Sequence, residues 1–77
     1  MKVWVLQIRE SGEEDMVFLF DSQEKAERSA YRQLWDYAEW RVGYDKVDEL
    51  PDSLDELGKL VEDNEWGFYN IYVSEVK

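Results

Sequence analysis

The chain has no cysteine, no histidine and a single proline, and its cations are scarce: nine Lys and Arg stand against nineteen Asp and Glu. Each shortage closes off a class of chemistry. Without Cys, no disulfide and no thiolate-bound metal can staple a chain of 77 residues, so apolar burial alone must hold it. Without His or Cys, the commonest general base and the best nucleophile are missing. The five Ser residues fall at loop, cap, helix-surface and strand-end positions, with no Lys at catalytic spacing beside them. Paired carboxylates can hydrolyse glycosides, but that needs a deep cleft, and so short a chain has little room for one. The chain is therefore expected not to be an enzyme and to use no cofactor.

Long apolar runs are also missing. Nothing approaches the roughly 20 residues of a membrane span. The opening MKVWVLQIRE has one Lys and six apolar residues in its first eight, and no small-residue cleavage site, so it reads as a first strand. The expected compartment is the cytoplasm. A net charge of −10 repels nucleic acid and anionic membranes. Direct binding to either is not expected, and the natural partner is a basic protein. The competing explanation of the charge is solubility.

What is present suits a folded domain. Hydrophobic residues make up 44% and aromatics 16%, more than a disordered acidic tail carries. One domain over residues 1–77 is expected. Val3–Ile8 and Met16–Phe20 are short runs rich in β-branched and aromatic residues, joined by the polar Glu10–Asp15, which reads as a β-hairpin. Asp21-Ser22 supplies an N-cap for a helix reaching Val42, which Gly43 stops. Tyr44–Asp52 is an acidic connector. Ser53-Leu-Asp-Glu56 matches a capping box, in which the Ser hydroxyl and the Glu carboxylate each accept from an orphan amide, opening a helix over about 54–63. Trp66–Ser74 reads as a third strand. The order β-β-α-α-β predicts an α+β fold: a three-stranded antiparallel sheet, strand order 2-1-3, with two helices on one face.

The stretch YRQLWDYAEW, Tyr31–Trp40, packs four large aromatics into ten residues. At about 100° per residue, Ala26, Ala30, Leu34 and Ala38 share one helix face, flanked by Tyr37 on one side and Tyr31, Trp35 and Val42 on the other. Trp35 and Trp40 lie at opposite margins of an arc wider than an ordinary buried stripe. Tyr31, Leu34 and Tyr37 are expected in the core, and at least one of the two Trp residues is surplus to it. Lys59 stands four residues from both Asp55 and Asp63, where it can pair with either. The strands carry apolar residues on both faces, whereas a solvated face normally alternates with polar residues. Two helices cover one face, which leaves Val3, Val5, Val17 and Leu19, with Phe68 or Tyr72, as an apolar patch on the other. Such a patch serves self-association or a partner, unless the loop carrying Tyr44 and Leu50 folds over it.

Metal binding fails on pattern. Asp45–Glu56 is twelve residues with acids at both ends, but as a Ca²⁺ loop it puts Val47 at position 3, Leu50 where the turn needs Gly, and Pro51 at position 7. No Gly-rich phosphate loop exists. What stands out is where the charge lies. Residues 45–65 hold nine acids against Lys46 and Lys59, a net of −7, while residues 1–44 hold nine acids against six bases. The candidate partner-binding residues are Asp45, Asp48, Glu49, Asp52, Glu62 and Glu65, with Glu13, Glu14 and Asp15 in the hairpin loop. Trp40 and Trp66 are the candidate apolar anchors.

In size, charge and want of catalytic residues the chain is similar in type to anti-CRISPR and anti-restriction proteins of phage, and to acidic immunity proteins against nuclease toxins. No motif carries that likeness. The expected function is a small acidic inhibitor of a basic nucleic-acid-handling protein, acting as a nucleic-acid mimic or a steric blocker. The alternative is a non-catalytic adaptor that forms a homodimer through its apolar sheet face, its acids serving solubility.

Overall fold

The hairpin forms where the apolar runs place it. In the computed structural model, which describes residues 1–76, β1 spans Lys2–Glu10 and β2 spans Met16–Phe20. The loop between them turns at Gly12, whose φ of 89° suits a residue without Cβ. The chain then enters α1, Gln23–Val42, through Ser22, whose Oγ accepts from the Lys25 amide at 3.2 Å. Gly43, at φ 87°, ends the helix and donates its amide to the Glu39 carbonyl.

The acidic connector is more ordered than its composition suggests. Tyr44–Glu49 forms a 3-10 helix. Val47 packs on the core, Leu50 is buried within it, and the Tyr31 hydroxyl donates to the Pro51 carbonyl at 3.0 Å, clasping the segment to α1. Helix α2, Leu54–Asp63, follows. Ser53 caps it through the Glu56 amide; among the described residues only this half of the expected capping box is made. The helix closes with the Trp66 amide on the Val61 carbonyl and the Glu65 amide on the Glu62 carbonyl, a Schellman arrangement. Its left-handed position is held by Glu65, at φ 60°, where Gly is usual.

Strand β3, Gly67–Glu75, completes an antiparallel sheet in the order β2-β1-β3. The fold is α+β, in the order and topology expected. Register decides the faces. Leu6 lies between Phe18 and Ile71, and Ile8 between Met16 and Tyr69; both are fully buried under the helices with Ala30, Leu34, Leu57 and Val61. The odd-numbered residues of β1 point away. There Val5 lies between Leu19 and Tyr72, and Arg9 stacks on the Phe68 ring at 4.8 Å. The connector does not cover this face: Leu50 is spent in the core and Tyr44 is 84% exposed. Val17, Leu19 and Tyr72 are correspondingly open, at 59%, 67% and 47%. Among the described residues no helix is long and apolar enough to cross a membrane.

Candidate functional site

The acids between residues 45 and 65 point outward because their apolar neighbours point in. Anchoring of the 3-10 helix by Val47 and Leu50 turns Asp45, Asp48 and Glu49 to solvent. Burial of Leu57, Gly58 and Val61 does the same for Asp55, Glu56, Glu62 and Asp63 on α2. Asp52 and Glu65, at either end of α2, are exposed as well. None of these nine carboxylates has a cation within ion-pair distance among the described residues. The ion pairs that do form lie elsewhere: Asp15 with Arg9, Asp21 with Lys25, Glu24 with Arg28, Glu10 with Arg41, and Glu75 with the N-terminus. Lys59, expected to pair with Asp55 or Asp63, meets neither within that distance; both its flexible stem and those acids are free in solvent, where such a pair is worth little.

Packing of α2 against β3 brings three carboxylates around one phenol. A groove between them is lined by Glu27 of α1, Asp55, Lys59 and Glu62 of α2, and Tyr69 of β3. Burial raises the Tyr69 pKa above its ordinary 10.0, and Asp55, Glu27 and Glu62 raise it further by repelling the phenolate. Gly58 makes this approach possible, since a Cβ there would overlap the Tyr69 ring. Beside the clasp, burial and then Asp52 raise the Tyr31 pKa as well. Glu27 is absent from the sequence-based candidates. It joins the group through the α1–α2 packing, for which periodicity gives no signal. Among the described residues no three carboxylates are arranged to hold a metal ion.

The hairpin acids belong to the opposite end of α1. Glu13 and Glu14 are exposed and line a surface hollow with Glu10 and Tyr37. Asp15 is less free: it accepts from Gln7 Nε2 at 2.9 Å and lies 3.5 Å from Arg9 Nη1. The hollow between α1 and Glu10 also reaches Asp36 and Trp40. Tyr37 is buried, its hydroxyl unpartnered among the described residues, and burial with the charges of Glu10 and Asp36 raises its pKa.

The two Trp anchors part company. Trp40 is 83% exposed, with Arg41 alongside its ring at 6.0 Å, so it is the surplus aromatic. Trp35 is half-buried and lies against Tyr31. Trp66 also packs partly on the core, and its carbonyl accepts from the Ser11 amide at 2.8 Å, tying the hairpin to the α2–β3 turn. Tyr44, not among the candidates, is as exposed as Trp40 and stands next to Asp45.

The eleven candidates thus fall into an α2 and connector group and a hairpin group. The hairpin group takes in Glu65 and Trp66 through the Ser11 link. No family model, no curated protein and no solved structure matches this chain.

Proposed function

We propose that this protein is a small acidic cytoplasmic inhibitor that binds a basic nucleic-acid-handling protein. Its carboxylates stand in for phosphates or block the partner's surface, and no chemistry of its own is involved. The observation that carries the reading is the exposure of all nine acids between residues 45 and 65, none of which meets a cation within ion-pair distance among the described residues. A carboxylate already locked to Lys or Arg has little left to offer a partner, whereas a free one attracts cations from a Debye length away.

Asp45 and Asp48 stand three apart on a 3-10 helix, where side chains at that spacing eclipse. At about 2.0 Å of rise per residue they are about 6 Å apart along the axis, a little under two of the ~3.4 Å axial steps per nucleotide of a nucleic-acid strand. Tyr44, exposed next to Asp45, supplies apolar burial beside the charge.

The test is competition. The protein is titrated into a labelled duplex bound to each of three basic enzymes: a CRISPR effector, a restriction endonuclease and a toxin nuclease. The expected result is displacement of the duplex from one of them, weakening steeply with salt. A variant with Asp48, Glu49 and Asp52 all changed to Lys should associate at least tenfold more slowly while keeping its fold. Unchanged association of that variant would refute the reading.

A second reading has its own observation, the open sheet face of Val17, Leu19 and Tyr72, which suits a dimerising adaptor. Sedimentation distinguishes it: a tight dimer indifferent to all three enzymes favours the adaptor.

A further inference from the structure

Strand β2 is an edge strand with none of the usual protections. It pairs only with β1, so its outer row of N–H and C=O groups meets no strand among the described residues. Edges are normally blunted by Lys, Pro, a bulge, or a covering helix or loop. Met16-Val-Phe-Leu-Phe20 has no charge and no Pro, and its pairing with β1 runs without a bulge. The helices do not shield it either. Val17 and Leu19 are open on one face, and Phe18 on the helix face remains 37% exposed.

Two occupants have the right shape, and charge decides between them. Two copies of β2 paired antiparallel about Phe18 would set Asp15 of each beside Asp21 of the other, and those acids are offset by Arg9 and Lys25. What opposes this pairing is the whole charge, since each copy brings a net of −10. A basic segment meets the reverse situation. Glu13 and Glu14 are exposed at the start of the strand and meet no cation within ion-pair distance among the described residues, whereas Asp21 at its end is already paired with Lys25.

We propose that the free edge of β2 takes an extended segment of the basic partner as a fourth strand. The apolar centre of that segment lies along Val17 and Leu19, and its Lys or Arg residues reach Glu13 and Glu14. This rests on the reading that the partner is basic. Main-chain hydrogen bonds supply affinity in such strand addition, alternate side chains supply specificity, and the flanking acids select for sign.

The probe is the synthetic peptide Lys-Lys-Val-Thr-Val-Thr-Val-Lys-Lys, compared with the same peptide N-methylated on its five central amides. The charges and the original side chains are identical; the central donors are gone. Binding is measured by calorimetry, and amide exchange of Met16–Phe20 is followed by NMR. The expected result is binding of the first peptide with slowed exchange along β2, and at least a tenfold loss with the second. Equal binding of both peptides would overturn the proposal, because the contact would then be charge alone. So would β2 amides already protected in a free protein that sediments as a dimer, which would make the occupant a second copy. Failure of both peptides to bind would also overturn it, while duplex displacement through Asp48, Glu49 and Asp52 would still judge the inhibitor reading separately.

Discussion

Gly58→Ala should destabilise this protein even though Ala is the better helix former, and the sign should reverse when Tyr69 is removed. In the middle of a helix, Gly costs about 1 kcal/mol relative to Ala. Gly58 sits at the fifth of the ten positions of α2, so propensity alone favours the substitution by about that much. Against it stands the Tyr69 ring: an added Cβ would overlap Cε1 and come within 3.1 Å of Cδ1. The ring cannot simply swing aside, because Tyr69 is paired opposite the fully buried Ile8 and packs on the core between α2 and the sheet. Overpacking of this kind costs roughly 1–3 kcal/mol. The net expectation is a loss of about 1 kcal/mol.

In a Tyr69→Ala background the overlap is gone, and Gly58→Ala should then stabilise by about 1 kcal/mol. The coupling read from the cycle is therefore about 2 kcal/mol, well above the scatter expected for independent sites. Urea unfolding of the four proteins measures it, with midpoint shifts at constant m. If Gly58→Ala stabilises with Tyr69 intact, the close approach of α2 to β3 is wrong. The gathering of Glu27, Asp55 and Glu62 around the phenol would fall with it.

Other expectations follow from single observations. Glu65→Gly should stabilise by about 0.5–1 kcal/mol in the same assay, because Glu65 holds a left-handed conformation that glycine adopts without strain. Trp40→Ala should change stability by less than about 0.5 kcal/mol, since the ring is almost wholly exposed, and Trp66→Ala should cost several times that, about 2–3 kcal/mol for a partly packed ring. Tyr31, Tyr37 and Tyr69 all have pKa values raised above the ordinary 10.0 by burial and neighbouring acids. Above pH 10 the unfolded chain has released these protons and the folded chain still holds them, so stability should fall as pH rises from there. Thermal unfolding followed from pH 8 to 11 checks the sign, and Asp55→Asn should move the Tyr69 titration downward in ultraviolet absorbance.

Much of this molecule was legible in its residues. Capping Ser22 and Ser53, the stop at Gly43 and the apolar runs of three strands are local signals, and each acts within a few residues of chain, so they survive folding unchanged. The 2-1-3 order followed because a hairpin and a helical return leave few unknotted ways to place a third strand. That both sheet faces were apolar was likewise visible in the alternation; Leu19 and Val17 stand exposed as it implied, whereas Val5, expected in the same open patch, is buried between its neighbours and Val3 is half-buried.

Tertiary packing decided the rest. Sequence alone could count the acids of residues 45–65 but not say whether Lys59 or a distant Arg would reach them; pairing depends on where long side chains end, and here they end in solvent. It could not assign Trp66 to the core and Trp40 to the surface, because both lie at segment margins, where periodicity does not decide between burial and exposure. Nor could it show that Gly58 receives the Tyr69 ring, or that Glu27 joins Asp55 and Glu62, because those meetings join α1, α2 and β3 through contacts that no periodicity records. Local chemistry set the elements and the sign of the charge, and the approach of one element to another set which charges stayed free.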